Sequence, residues 1–251
     1  MTKPAAVPAG PLSKFPASQT GSSEALLAAY RRVREETERR AAPLSPEDQV
    51  IQSMPDASPA KWHRAHTTWF FEQFVLGEHV EGYKPFHPDY AYLFNSYYVS
   101  AGPRHPRAQR GHLPRPGAED VTAYRRAVDA AMADFLQNAS EEKLRAIAPL
   151  MEVGFNHEQQ HQELMLTDIL HAFAQNPIPP AYDAAWHWPP AHRSGDAWAT
   201  LTEGIHTIGH QDDSFHFDNE KPAHRALVGP VKLARNLVTN AEWLAFMNDG
   251  G

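Results

Sequence analysis

The sequence predicts an all-α four-helix bundle over residues 22–176, followed by the opening part of a second, α+β domain. Three observations predict this. Four stretches before residue 176 repeat apolar side chains at helical spacing. A proline-rich stretch at 177–197 then interrupts the pattern. From residue 198 short apolar runs alternate with Gly, Asp and Asn, as strands and turns do.

Taken in order, residues 1–21 are rich in Pro, Ala, Gly and Ser, which cannot bury enough apolar surface to offset ordering entropy, so a disordered tail is expected. Residues 22–42 read as the first amphipathic helix, with Leu26, Leu27, Tyr30 and Val33 on one stripe. Ser58 followed by Pro59 marks the next helix start, the serine as cap and the proline at the first helical position, with an end near Gly77. Residues 82–117 carry many aromatics, then Arg104, Arg107, Arg110 and Arg115, and are too long for an idle connector. Residues 118–137 form the third helix. The fourth is expected from about 150, after a break at Pro149, to 175. Strands are expected at 205–208, 226–228 and 231–234.

Composition narrows the function. With 251 residues and 42 % apolar content the chain can bury a substantial core. Lys and Arg number 23 against 30 Asp and Glu, a net charge of −7, so there is no general attraction to nucleic acid or anionic membrane. The absence of cysteine removes disulfides, thiolate metal sites and a cysteine nucleophile. No secretory signal or membrane anchor is legible at the N-terminus, so a cytoplasmic protein is the simplest reading. Metal chemistry is left to carboxylates and to the 15 histidines.

His157 and His161 lie four residues apart on the fourth helix, so both rings project from one face and can chelate one divalent ion. In so histidine-rich a chain such a pair also arises by chance, and context has to decide. The helix opening at residue 58 supplies it: His66 shares a stripe with Trp62, Trp69 and Phe70, where a buried imidazole needs a partner. His63, near the same end of that helix, competes with His66. Three histidines leave positions open on a metal, but imidazole ligation alone does not separate iron from zinc. The segment also fits H-E-x-x-H, in which Glu158 would be the general base of a zinc protease. Gln159 and Gln160 inside the motif and the lack of a downstream third ligand weigh against that reading.

Several segments, taken together and in order, resemble the sulfoxide synthases of ergothioneine biosynthesis. They are SPAKWH at 58–63, HTTWFFE at 66–72, LFNSYY at 93–98, the arginine-rich 102–116 and HEQQHQE at 157–163. FDNEKPAH at 217–224 and VTNAE at 238–242 resemble the start of a formylglycine-generating-enzyme (sulfatase-modifying factor) domain. The resemblance covers about residues 22–251. It implies a DinB-like four-helix bundle with a C-type-lectin-related domain after it, and Fe(II) held by His66, His157 and His161. It implies joining of hercynine (trimethylhistidine) to cysteine or γ-glutamylcysteine with O₂, giving a sulfoxide. Arg107 and Arg110 would then meet the carboxylates of the thiol, and Gln160 would face the histidine-derived substrate. Against that family the second domain is expected to be incomplete at Gly251, which leaves no catalytic acid or base to name. The same comparison leads to the expectation that this stretch alone binds metal weakly and turns over little.

Overall fold

The computed structural model describes residues 22–96, 102–185, 187 and 197–251. The expected tail at 1–21, the aromatic pair Tyr97 and Tyr98, and residues 186 and 188–196 of the expected linker lie outside the described residues. The chain divides into two compact units between Ala184 and Ala185. No helix among the described residues is long and apolar enough to cross a membrane.

Among the described residues the first unit contains four long helices. Helix α1, Ser23–Ala41, begins where the hydroxyl of Ser22 accepts from the amide of Ala25. Its Leu26, Leu27, Ala29, Tyr30 and Val33 are buried. Helix α2, Ala60–Phe70, runs on through a π-helical turn at Phe71–Leu76 and a last turn at Gly77–His79. Helix α3, Ala118–Asn138, buries Val121, Tyr124, Val128, Met132 and Leu136. Helix α4, Glu141–Ala174, is the longest.

Two expectations about helix boundaries are corrected. Ser58 does not cap α2. The carbonyl of Pro59 takes up the amides of Trp62 and His63 instead, while the Ser58 amide donates to Asp168 and its hydroxyl accepts from Arg110. Pro149 does not break the fourth helix, which starts at Glu141 under a Ser140 cap and passes through the proline. An interior proline costs about 3 kcal/mol. Here Leu144 and Ile147 before it and Met151 and Phe155 after it are buried in one core, and that packing holds the two halves in register.

A buried polar layer joins three of these helices. Glu158 of α4, fully inaccessible, accepts from Arg34 and Thr37 of α1 at 3.0 and 2.7 Å and from Arg125 of α3 at 3.1 Å. Gln162, one turn on, donates to the carbonyl of Val33 and to Thr37. An unpaired buried carboxylate would be costly, so this one fixes which face of α4 turns toward α1 and α3.

On the other side α4 meets α2 at Gly154. A Cβ there would lie 2.7 Å from a ring atom of Phe71 and 2.9 Å from one of Phe70, so only glycine allows the helices to approach this closely. Between α2 and α3, the described residues 82–96 and 102–117 include a helical turn at Tyr90–Leu93 and a 3₁₀ turn at Arg107–His112. Glu72 of α2 anchors the first part by accepting from Tyr83, from the amide of Phe86 and from Tyr124.

Among the described residues the second unit contains four short strands. Strand β1, Trp198–Leu201, pairs antiparallel with β4, Val231–Ala234. Strand β2, Gly204–Ile208, pairs antiparallel with β3, His224–Val228. Helix α5, Asn240–Asn248, starts with a capping box in which Thr239 and Glu242 satisfy each other's amides. The three strands expected from sequence are present, with β1 and α5 in addition.

The α2 and α4 contact gives a test. Alanine at Gly154 gains helix propensity of about 1 kcal/mol, yet should lower stability by about 1–3 kcal/mol because the two phenyl rings have to move. Urea unfolding of Gly154→Ala measures it, and an unchanged or raised midpoint would contradict the packing described.

Candidate metal centre

The ring nitrogens of His66, His157 and His161 include one donor from each residue, all within 4.8 Å of one another. His66 comes from α2, the other two from successive turns of α4. The Nε2 atoms of His66 and His157 are 3.1 Å apart. Two imidazoles bound to one ion at about 2.1 Å bring their donor atoms about 3.0–3.4 Å apart, so this spacing fits shared ligation. The fit is chemical as well, since three imidazoles form a neutral donor set that leaves coordination positions open.

The neighbouring helical turn orients His66. Trp62, His66 and Trp69 stand on one stripe of α2 and meet the carbonyl groups of Leu93, Phe94 and Ala91 at 3.2, 2.5 and 3.2 Å. The last carbonyls of a short helical turn have no partners of their own, and the three rings satisfy them. For His66 the consequence is that Nδ1 carries the proton and Nε2 keeps its lone pair toward the other histidines. Its ring is stacked on Trp62 and Trp69, with centroids at 4.6 and 5.4 Å.

Burial sets the protonation state. His66 and His161 are pushed well below the ordinary histidine value, first by desolvation and then by the neighbouring histidines. His157 falls to about 4, again through desolvation. All three rings are neutral at physiological pH, the state in which imidazole binds metal.

A cavity of about 300 Å³ opens on these rings, lined also by Ser58, Trp62, Ser96, Arg107, Arg110 and Gln160. The guanidinium of Arg110 lies 3.3 Å from the centre of the Trp62 ring and donates to Ser58 and Ser96. Arg107 donates to the carbonyl of Asp56. Lys61 steadies the loop by reaching the carbonyls of Leu113, Pro114 and Pro116. Gln52 does so by bridging the Arg107 carbonyl and the Gly111 amide. Of the four arginines read as one basic loop, two line the cavity, while Arg104 and Arg115 are exposed outside that lining.

His63, the rival candidate from sequence, also lines the cavity but stands one step back. It lies 2.9 Å from His161 and 3.0 Å from Asp168. Glu158 is turned away from the three rings into its contacts with Arg34 and Arg125. It therefore has no base to offer at a metal, which removes the protease reading of H-E-x-x-H.

The family model described as the DinB superfamily matches residues 29–165, more than half of the chain and a span that contains all three histidines. The chain belongs to the DinB superfamily. Within the DinB region and beyond it, the chain is similar to proteins named hercynine oxygenase. One from Mycolicibacterium thermoresistibile is 32 % identical over 153 residues, covering 59 % of this chain and 32 % of the relative. One from Mycolicibacterium smegmatis is 28 % identical over 204 residues, covering 80 % and 45 %. A third, from Mycobacterium tuberculosis, is 28 % identical over 147 residues, covering 59 % and 34 %. The chain thus matches from a third to under half of the length of these relatives.

The sequence did not reveal the Asp168 contact, the role of Gly154 or the three-carbonyl anchor of α2. Asp168 was findable in principle, since it lies seven residues after His161 and hence on the same face of α4.

The neutral histidines give this DinB unit a signed pH dependence. An unfolded chain takes up protons near pH 6.5, whereas the folded one refuses them on His157 down to about pH 4. Stability of the metal-free chain should therefore fall as pH drops through that window, by about 1.4 kcal/mol per pH unit for each such ring. Urea titrations across the window should show a shallower slope for His157→Asn, and identical slopes would contradict the neutral, desolvated site.

Proposed function

We propose that this DinB unit carries the iron centre of an O₂-dependent sulfoxide synthase that joins hercynine to cysteine or γ-glutamylcysteine. The observation that supports it best is the convergence of three neutral imidazoles beside two arginines in one cavity. The names of the similar proteins add the substrate hercynine and the oxygenase class. The FDNEKPAH and VTNAE segments of the second unit support a sulfatase-modifying-factor type of domain there, related to C-type lectins.

In this reading His66, His157 and His161 hold Fe(II). When bound, the ion would supply Lewis-acid and one-electron redox chemistry toward O₂. The overall balance takes an imidazole C–H, a thiol S–H and O₂ to a C–S bond, one sulfoxide oxygen and water. The residues of the chain bind and orient. Arg107 and Arg110 draw the carboxylates of the thiol to the wall of the cavity, where guanidinium groups offer planar, paired donors. Gln160, exposed on α4 next to His161 and lining the same cavity, faces the imidazole of hercynine. Trp62 and Trp69 flank the His66 ring and fix its direction.

Anaerobic Fe(II) loading of the protein, followed by O₂ uptake with hercynine and each thiol, tests the proposal. Uptake should require both organic substrates, yield a product of sulfoxide mass, and vanish in His66→Ala. Arg107→Ala should raise the KM for the thiol by about tenfold or more, the loss of one charge-assisted hydrogen bond. Tight zinc binding without O₂ uptake would instead point to a hydrolytic or thiol-transfer enzyme on the same helices.

A further inference from the structure

His63 and Asp168 bind neither to the proposed ion nor to any part of the reaction so far described, yet both are buried and in contact with each other beside His161. We infer that Asp168 and His63 form a relay that fixes the tautomer of His161, aiming its Nε2 lone pair at the metal. The inference rests on the proposed metal centre and deepens it.

Oδ2 of Asp168 already accepts from the amide of Ser58 at 2.8 Å, and a carboxylate offers only acceptors. The Nε2 of His63, 3.0 Å from the same oxygen, therefore carries a proton. A neutral ring has one donor and one acceptor, so Nδ1 of His63 is an acceptor. Nδ1 of His161 lies 2.9 Å from it and has to be the donor. That leaves the lone pair of His161 on Nε2. His66 reaches the same state by a different route, through the Phe94 carbonyl.

The elements that hold the relay are independent of the ion. Ser58 lies just before α2 and His63 in its first turn, and Asp168 and His161 stand two turns apart on α4. The contact ties the two helices together at the end of the site opposite Gly154. His63 is thus a positioning residue. Partners that orient a ligand imidazole in this way are typically worth about 10–100-fold in metal affinity.

The test uses the full chain, Co(II) as the probe, and NMR of the metal-free protein. In the wild type, nitrogen chemical shifts of His161 should report a proton on Nδ1 and none on Nε2. His63→Phe, which keeps a ring but offers no acceptor, should release that preference and weaken Co(II) binding about 10–100-fold. His63→Asn, whose side-chain oxygen can stand near the Nδ1 position, should recover most of both. A His161 proton on Nε2 in the wild type would overturn the relay, as would wild-type affinity in His63→Phe. Should His63→Phe fail to fold, the wild-type tautomer decides alone. If the wild type binds no Co(II) at all, the metal reading fails, while the tautomer measurement still judges the relay separately.

Discussion

The rotation of α4 about its own axis governs the arrangement of the first unit. Two polar stripes run side by side along it, His157 with His161 and Glu158 with Gln162. The second stripe is committed to α1 and α3 through Arg34, Thr37, the Val33 carbonyl and Arg125. Because a buried carboxylate cannot be left without donors, that commitment admits one orientation of the helix. The first stripe is then obliged to face α2, and Gly154 allows α2 to come near enough for His66 to meet it.

The same arrangement keeps the imidazoles ready. Desolvation makes a proton on any of the three rings unfavourable, and each charged neighbour would make the next one harder to charge. A set of neutral nitrogens crowded within 4.8 Å has unfavourable lone-pair contacts that a cation relieves. The ring partners outside the cluster, the Phe94 carbonyl for His66 and His63 for His161, direct lone pairs inward. Folding energy from the aromatic core of α2 and its flanking turn is thereby turned into preorganisation of the site.

Much of this was legible from residues alone. Helical periodicity located the four long helices described in the first unit, and the i, i+4 spacing of His157 and His161 put that pair on one helix face, while the aromatic stripe offered His66 with His63 as a rival and only the family resemblance chose between them. What escaped was information carried by tertiary contact. Pro149 looks like a helix end, but packing of Leu144, Ile147 and Met151 outweighs its local cost. Ser58 looks like a helix cap, but its amide and hydroxyl are taken by Asp168 and Arg110. His63 and His66 are three residues apart on the same helix and cannot be ranked by spacing. Their difference lies in what each outer nitrogen touches, a carbonyl from the 90–94 turn in one case and Asp168 of α4 in the other.

X-ray absorption at the iron edge of the Fe(II)-loaded chain tests the central claim most directly. Three imidazole nitrogens at about 2.1 Å, with oxygen ligands completing the shell, is the result expected from the geometry, and one imidazole should be lost in His66→Ala. A shell with one or two imidazoles, unchanged by that substitution, would contradict it.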